Sequence, residues 1–480
     1  MQNADSDDVS TGGSIPGLLP RLGLFTIIMI VMGNMIGSGI FKKAAPMAAD
    51  VQSPGLLLAC WVIAGVVSLL GALSNAEVAG LIADPGGYYA FFKKMYGRPF
   101  AFLFGWSSFI VLQSASVASI AYVFGESANA LFVFPRLPES WEHISILGVF
   151  YPFQNSGVKA FTICTLLSVA AANYCGVIFG GIIANITTAL KLLGIALVAF
   201  LGLYASGGSL AHLFPLGPAP GAHYGSMGLF GAMFAAMLGA FWAFDGWNNI
   251  NSLGGETRNP KRTIPIALGL GVAGVIAVYL LVNYAYVCVL SIDELRTVAA
   301  SQNGIAAVEA MRKGWGPGAA QFVALLILLS TFGAVNCQLM PTCRTFYAMA
   351  LDGLFFPSAA RCHPRYHTPA NALVMESVWA SILVLSGTFD QLTDMVIFAS
   401  FIFYGAATFG VFVLRRTMKD AHRPYRVTGY PFTPAIFVLF CAILVAVTVF
   451  QRPREAAIGL VLMCTGWPFY FYWTRKPSAI

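Results

Sequence analysis

The first apolar stretch of the chain is interrupted by glycine at the depth of a membrane. Leu22 to Phe41 is a run of 20 uncharged residues, and a helix of that length crosses a hydrocarbon core of roughly 30 Å. The run contains Gly37-Ser38-Gly39 near its end. Lipid offers no hydrogen-bonding partners, so non-helical backbone persists there only where it lines a cavity. The sequence therefore predicts a broken membrane helix whose free backbone groups require a ligand.

Similar apolar runs recur along the whole chain. Of the 480 residues, 58 % are hydrophobic and only 10 % are charged, with a mean hydropathy of +0.75. This composition excludes a soluble globular domain and indicates an all-α protein embedded in the lipid bilayer. The predicted spans are residues 22–49, 54–82, 100–134, 157–178, 182–206, 226–254, 263–290, 315–350, 369–388, 392–414, 431–450 and 454–474. Residues 1–20 are expected to form a disordered cytoplasmic tail.

Positive charge in the short loops predicts the orientation of these twelve helices. Cytoplasmic loops carry an excess of Lys and Arg, and most of the 27 such residues fall on one side if the N-terminus is inside. Both termini are therefore predicted to be cytoplasmic. The net charge of +7 follows from this bias, and no nucleic acid partner is expected.

The sixth span repeats the peculiarity of the first. Within Trp242 to Trp247, Asp245 and Gly246 fall in mid-membrane, and Asp245 is the only charge of its span. Interrupted helices at positions one and six are typical of transporters built from two inverted halves. We predict a first half at 21–206 (helices 1–5), a second at 226–416 (helices 6–10), and two further helices at 429–475.

Two broken helices offer complementary polarity to a zwitterion, because half-helix N-termini attract anions and freed carbonyls attract cations. A carboxylate is expected at the N–H groups of Ser38, Gly39 and Ile40. An ammonium is expected at the carbonyls of Met35, Trp242 and Asp245. The backbone would thus bind an α-amino acid headgroup. Alternatively, the glycines provide a packing face, or Asp245 pairs only with protein groups.

Several motifs carry a family resemblance. Residues Gly33 to Phe41 (GNMIGSGIF) resemble the first-helix motif of the amino acid-polyamine-organocation transporters. Further motifs similar to that superfamily are 75–77, 85–88, 242–247, 255–260 and 262–265, while 279–286 and 466–470 resemble its L-type amino acid transporter branch. The resemblance implies a leucine-transporter-type fold, with ten core helices in two inverted halves plus two more, that works by alternating access.

By this resemblance, the substrate site lies on the unwound backbone of helices one and six. The residues assigned to it are Met35, Ile36, Gly37, Ser38, Gly39, Ile40, Phe241, Trp242, Ala243, Phe244 and Asp245. An acid at position 245 would favour cationic substrates if its side chain faces the cavity. Trp242 fits either an aromatic lid or a packing role. The side-chain pocket is expected to include Gln113, Asn336 and Phe401.

Lys191 lies in the middle of the fifth span and looks like the lysine that the L-type branch carries there. Its ammonium would replace a sodium ion beside the unwound first helix, which predicts sodium-independent transport. Two alternatives are snorkelling to the membrane interface and proton transfer by a buried lysine. Tyr279 is expected to hydrogen-bond near Lys191 or, equally, to pair locally.

Three charged residues suggest a gate on the cytoplasmic side. Glu77 ends the second span, and Glu256 and Arg258 follow the sixth, so an ion-pair gate is expected unless these charges only set topology. Residues Gly269 to Gly274 match a dinucleotide pattern but lie inside a span, where a packing face is expected. Cys362, His363 and His367 lack the spacing of a metal site, and no metal or cofactor is expected.

These observations predict a sodium-independent L-amino acid transporter of a bacterial inner membrane, most simply an exchanger, rather than an enzyme. The alternative is a proton-coupled amino acid or polyamine permease. A channel or a nutrient sensor would lack saturable exchange. The loop Val133 to Lys159 contains no cysteine. Animal members of the family that the sequence resembles have a cysteine in this loop that forms a disulfide bond to an accessory glycoprotein, so no such partner is expected here.

Overall fold

Helices account for every apolar run of the sequence. The computed structural model describes residues 18–144, 151–205, 209–218, 221–224, 227–301, 304–386, 389–451 and 453–475. Within these residues all named elements are helical, and an isolated β-bridge joins Leu22 to Thr257. Of the predicted tail, residues 1–17 lie outside the described residues.

The helices are numbered in chain order. They are α1 Leu24–Met35, α2 Gly39–Lys42, α3 Ala44–Val51, α4 Pro54–Leu81, α5 Tyr88–Tyr96, α6 Arg98–Ser107, α7 Gln113–Leu131, α8 Glu139–Glu142, α9 Ser156–Tyr174, α10 Val177–Leu203, α11 Gly228–Phe244, α12 Pro260–Val289, α13 Ile292–Ala300, α14 Ala306–Trp315, α15 Pro317–Leu351, α16 Ala370–Ser386, α17 Phe389–Thr417, α18 Phe432–Gln451, α19 Pro453–Cys464 and α20 Gly466–Arg475. A π-helix occupies Ser108–Leu112, and 3-10 helices occupy Leu210–Leu213, Trp247–Glu256 and Pro357–Ala360.

The predicted number of membrane spans agrees with these helices. The described residues contain 11 helical segments long and apolar enough to cross a membrane, and the shorter apolar helix Ala370–Leu385 matches the predicted run 369–388. Twelve crossings place both ends of the chain on one face of the membrane. We call this face, which carries residues 18 and 475, the terminal face.

Helix α10 has an apolar face directed outward and a polar face directed into the bundle. Its outward face is apolar, and Leu193 and Ile186 are 68 % and 54 % exposed. Its inward face contains Thr188 and Lys191, both completely buried. Lipid stabilises the apolar face, and polar groups on the other face find partners on neighbouring helices. Lys191 is therefore directed into the bundle by its own helix.

Helix α1 lies at the centre of the fold, packed against α10, α12 and α15. A Cβ added to Gly271 of α12 would lie 2.6 Å from Val31 Cγ1, so glycine permits the close approach of these helices. The pattern Gly269 to Gly274 is thus a packing face, as predicted.

Several predicted spans are interrupted. The first run, 22–49, is divided into α1, α2 and α3, and the third contains the π-helix. The predicted breaks in helices one and six are confirmed. The last run, expected as one helix over 454–474, is divided at Thr465 into α19 and α20. The division into two halves and a terminal pair stays a prediction.

Backbone hydrogen bonds on the terminal face join the start of the first span to the end of the sixth. The N–H groups of Arg21 and Leu22 both donate to Glu256 O at 2.9 Å, and Arg258 N donates to Leu22 O at 2.8 Å. These bonds form the Leu22–Thr257 bridge.

Candidate binding site between two broken helices

The first break separates α1 from α2. Helix α1 ends at Met35, and Ile36 leaves the helical region with φ −80° and ψ 84°. Gly37 N bonds Met35 O at 2.9 Å, which is a tight turn rather than a helical step. Helical backbone resumes at Gly39 and continues through Lys43 into α3.

The second break follows α11 directly. Helix α11 ends at Phe244, Asp245 is extended with ψ 158°, and Gly246 has a left-handed φ of +99°. A Cβ at Gly246 would also lie 2.8 Å from Asn34 Oδ1 of the first span. Glycine is therefore needed for both the turn and the close approach.

The two breaks are in contact with each other. A Cβ on Gly39 would lie 2.7 Å from Ala243 Cα, so only glycine lets α2 pack this closely on α11. Tyr279 of α12 is fully buried, and its hydroxyl lies 2.9 Å from both Met35 O and Ala243 O. One hydroxyl thus holds carbonyls at the ends of α1 and α11.

Lys191 places a buried ammonium beside the first break. Its Nζ donates to Gly33 O at 2.9 Å, to Ile36 O at 2.6 Å and to Ser330 O at 3.3 Å. The Ser330 hydroxyl, which has one hydrogen to donate, lies 3.1 Å from Ile36 O and 3.0 Å from Gly37 O. The alternative of snorkelling does not describe this lysine, because its side chain points into the bundle. The ammonium lies at the negative end of the α1 dipole.

Unpaired backbone donors are left where α2 begins. Phe41 N bonds back to Ser38 O at 3.2 Å, and Lys43 N bonds back to Gly39 O at 2.8 Å. Across the described part of the chain, the N–H groups of Ser38, Gly39 and Ile40 have no backbone acceptor, as the first turn of a helix requires. The buried hydroxyl of Ser38 also has no partner there. These donors create a positive edge suited to an anion.

A small cavity lies between the breaks. It is lined by Asn34, Met35, Gly37, Ser38, Gly39, Ser116, Ile120, Trp242, Asp245, Gly246 and Gln338. Six of the predicted substrate-binding residues are on this surface: Met35, Gly37, Ser38, Gly39, Trp242 and Asp245.

The other predicted substrate-binding residues are buried but do not line the cavity. Ile36 and Ala243 contribute carbonyls to Lys191 and Tyr279, and the Ile40 side chain is in the core. The Phe241 ring packs on Phe401 and Phe440. The Phe244 ring packs on Trp61 and Tyr279.

Asp245 has a protein partner that the sequence did not indicate. Tyr404 of α17 donates its hydroxyl to Asp245 Oδ1 at 2.5 Å, and the Tyr404 hydroxyl oxygen also lies 3.1 Å from Asn248 Oδ1. The Asp245 side chain nonetheless belongs to the cavity wall. The carboxylate is therefore fixed in direction by α17 while its residue faces the space between the breaks.

Polar side chains that were not among the predicted substrate-binding residues also lie at the cavity. Both side-chain atoms of Asn34 are buried without a partner among the described residues, although Asn34 lies within the Gly33 to Phe41 motif. Gln338 Nε2 is 3.4 Å from Gln113 Oε1, and Gln113 donates to Asn249 Oδ1 at 2.9 Å. Gln113 is thus adjacent to the site. The prediction for Asn336 is wrong, because its amide bonds Asn173 and Gly180 between neighbouring helices.

The three residues expected to form one gate are separated in the structure. Glu77 pairs with Arg415 at 2.7 Å and Arg423 at 3.3 Å, whereas Glu256 pairs with Arg344 at 2.7 Å. Arg258 is exposed. The expected grouping is therefore corrected: each buried acid takes its partner from the helix or loop packed against it, and such a partner compensates a buried charge better than a solvated arginine.

The loop that contains Cys362, His363 and His367 has a structural role in the fold. His363 Nδ1 lies 3.2 Å from the N–H groups of Arg365 and Tyr366, which fits an imidazole nitrogen accepting both. Across the described residues, no three His, Cys, Asp or Glu side chains are grouped in a way that would hold a metal ion.

The fold and the cavity together define a multi-pass membrane transporter. Two helices are broken next to each other, and residues of both breaks line one small space inside a bundle of spanning helices. This arrangement is typical of secondary transporters, which bind their solute at such breaks.

Comparison with known proteins identifies the family. The chain belongs to the amino acid permease family, whose sequence profile matches residues 22–473, and the predicted superfamily is confirmed. It is 29 % identical over 466 residues to the serine/threonine exchanger SteT of Bacillus subtilis (strain 168), covering 96 % of this chain and 99 % of that protein.

Two animal relatives are about as similar. Identity to the human b(0,+)-type amino acid transporter 1 is 30 % over 469 residues, covering 96 % of this chain and 91 % of that protein. Identity to the mouse large neutral amino acids transporter small subunit 2 is 31 % over 476 residues, covering 98 % of this chain and 85 % of that protein.

Proposed function

We propose that this protein is a sodium-independent L-amino acid exchanger that works by alternating access. The observation that carries the proposal is the cavity between the two breaks. Its wall includes Ser38 and Gly39, whose N–H groups lack backbone acceptors among the described residues, and Met35, Trp242 and Asp245, whose carbonyls belong to the ends of α1 and α11. An α-amino acid headgroup is the solute that matches both polarities. Relatives named as amino acid exchangers and transporters support the same class of substrate.

The headgroup would be oriented by backbone rather than by side chains. Its carboxylate would accept hydrogen bonds from the N–H groups of Ser38 and Gly39 at the positive end of α2. Its ammonium would bind the carbonyls of Met35, Trp242 and Asp245, which lie where α1 and α11 end. Because every α-amino acid carries this headgroup, the backbone would recognise the class and leave side-chain selection to the rest of the cavity.

Lys191 supports the proposal of sodium independence. A buried cation already bonds the carbonyls of Gly33 and Ile36 that unwinding leaves free. Those are oxygen ligands of the kind that bind a sodium ion, and the ammonium compensates them permanently. The Tyr279 hydroxyl lies within hydrogen-bond distance of two further carbonyls and adds no charge. The break would therefore persist in the absence of added sodium.

Asp245 supports a contribution from substrate charge. Its carboxylate is the acidic group on the cavity wall, and Tyr404 fixes its direction. A lysine, arginine or ornithine side chain would offset the desolvation of this carboxylate, whereas a neutral side chain would not. Trp242 lies on the same wall and is proposed to cover the bound substrate.

Topology and gating complete the proposal. The terminal face is proposed to lie in the cytoplasm of a cell whose inner membrane holds the protein, and the excess of positive charge in the loops of that face supports this orientation. The pairs Glu256–Arg344 and Glu77–Arg415 are proposed to close that face. The protein is also proposed to function without a disulfide-linked accessory glycoprotein, since the loop from Val133 to Lys159 has no cysteine.

A substrate panel in proteoliposomes tests the proposal. Radiolabelled neutral and cationic amino acids are offered outside, with or without amino acid inside and with sodium or choline as the external cation. We expect saturable uptake that requires internal amino acid and is unchanged by sodium. Strict sodium dependence would contradict the role of Lys191. Uptake driven by a pH gradient without internal amino acid would support a proton-coupled permease instead.

A further inference from the structure

A second buried acid lies outside the substrate cavity. Glu376 is on α16, is fully buried, and faces α15. Its Oε1 lies 2.5 Å from Thr342 Oγ1, while its Oε2 is buried without a partner among the described residues. Ionisable groups inside a membrane are costly and tend to serve function.

The charged groups around Glu376 are bonded to other residues. Arg344 uses Nε and Nη2 for Glu256 and directs Nη1 to Met340 O and Cys343 Sγ. No ion pair between Glu376 and a cation is present among the described residues. An ionised carboxylate here would be buried with no cation bonded to it, at a cost of several kcal/mol.

Other helices packed on α16 do not supply a counter-charge either. Lys159 of α9 donates to Tyr151 O and Leu385 O, the second of which is near the far end of α16. Glu126 of α7 pairs with Lys42. The Cys343 thiol of α15 lies on the Arg344 side and donates to Met340 O at 3.6 Å. Glu376 therefore has a hydroxyl group as its nearest polar partner.

Counting hydrogens at Thr342 assigns a proton to Glu376. Thr342 Oγ1 lies 2.8 Å from Gln338 O, an ordinary hydrogen-bond length, and 2.5 Å from Glu376 Oε1, a short one. A threonine hydroxyl has one hydrogen and the Gln338 carbonyl has none. A neutral Glu376 supplies the second, since its O–H donates to Thr342 and Thr342 donates to Gln338.

This hydrogen-bonded chain ends at the backbone carbonyl of a cavity-lining residue. Gln338 lines the cavity, and Pro341 lies between Gln338 and Thr342 inside α15. Proline has no N–H group, so α15 lacks one backbone hydrogen bond at this point and bends more easily there. The contact between α15 and α16 is therefore located at the weakest point of a cavity-lining helix.

We propose that Glu376 is a proton-binding site of the transport cycle, and this rests on the proposed transport function. With the proton bound, Glu376 of α16 hydrogen-bonds Thr342 of α15 next to Pro341. Release of the proton leaves two acceptors facing one threonine hydrogen and an unpaired charge inside the bundle. The packed arrangement of α15 and α16 then loses its stabilising contact, so proton binding and the movement of α15 are linked.

Infrared difference spectroscopy of the purified transporter tests the protonation directly. We expect the carbonyl-stretch band of a neutral carboxylic acid in the wild-type protein. That band should be lost in Glu376→Gln and retained in the matched variant Glu126→Gln, whose acid is partly exposed. This measurement does not require transport, so it tests the protonation of Glu376 even if the proposed function is wrong. An unchanged band in Glu376→Gln would overturn the assignment.

Exchange at equal pH on both sides of the membrane tests the link to transport. Wild-type exchange should fall as pH rises, approaching about tenfold per pH unit, the limit for one proton. Glu376→Gln keeps an N–H donor for Thr342. This variant should still exchange amino acids, and its exchange rate should no longer fall as pH rises. Glu376→Leu, which has no donor, should exchange slowly at every pH. If Glu376→Gln follows the wild-type profile while transporting amino acids, the proposal fails and the proposed function remains.

Discussion

The two broken spans meet at one cavity, yet their breaks are stabilised differently. At the first break, Lys191 and Ser330 bond the carbonyls that unwinding leaves free. At the second break, the charged group is a carboxylate of the break itself, Asp245, and it is held by Tyr404. The first break is thus supported by the protein alone, whereas the second places a charged residue on the cavity wall. In the proposed function, the first break would set the geometry of the site and the second its selectivity.

Removing the cation at the first break should have the largest effect. In Lys191→Met, three carbonyls lose a charged donor, and exchange of all substrates should fall by ~100-fold, equivalent to about 2.7 kcal/mol. Lys159→Met is the matched control, because Lys159 is also buried and bonds two carbonyls away from the cavity. Exchange rates in proteoliposomes, normalised to folded protein, should fall only in Lys191→Met. Equal losses of exchange rate in the two variants would contradict a specific role of Lys191 at the first break.

Separating the two breaks should have the next largest effect. In Gly39→Ala the new Cβ would overlap Ala243 Cα, and relief of this overlap costs about 1–3 kcal/mol. Affinity for every substrate should fall about tenfold or more. Gly37→Ala is the control, since its Cβ would meet only Ala334 Cβ at 3.7 Å. Equilibrium binding of amino acids measures both, and a similar loss in Gly37→Ala would contradict the role given to the Gly39 contact.

Neutralising the charge at the second break should affect only some substrates. Asp245→Asn retains an oxygen acceptor for Tyr404 but removes the negative charge. Uptake of cationic amino acids should fall by about tenfold, and neutral uptake should stay within about twofold. Tyr404→Phe keeps the charge, so it should affect both substrate classes alike. Competition by lysine against a labelled neutral amino acid distinguishes these results, and equal losses in Asp245→Asn would argue against selection by charge.

The hydroxyl shared by both breaks should give the smallest effect. Tyr279→Phe removes one neutral hydrogen bond, worth about 0.5–1.5 kcal/mol, so exchange should fall by roughly twofold to tenfold. Tyr286→Phe is the control on the same helix, because its buried hydroxyl has no partner among the described residues. A larger loss in Tyr286→Phe than in Tyr279→Phe would refute this ranking.

The sequence predicts the features of this molecule that depend on local chemistry. Apolar runs determine where helices cross the membrane, so the number of spans is predictable from composition. Gly37, Gly39 and Gly246 interrupt two such runs, and the positions of the breaks follow from them. Lys191 was recognisable because a charge in the middle of an apolar helix has to find partners inside the bundle.

Partners across helices could not be predicted in the same way. Glu256 pairs with Arg344 rather than Arg258, because the rotation of α15 about its axis decides which side chain reaches it. Tyr404 and Glu376 have no motif around them, and only packing brings them to Asp245 and Thr342. Asn336 was expected in the cavity because it is polar, but an amide also bonds neighbouring helices.

The bridge between Leu22 and Thr257 has a mechanical consequence. It joins the first and sixth spans between their breaks and the terminal face. The Gly39–Ala243 contact joins the same two spans on the other side of the breaks. The two spans are therefore joined on both sides of their breaks. If the breaks bend during the proposed alternating access, we expect the two spans to bend together rather than one at a time.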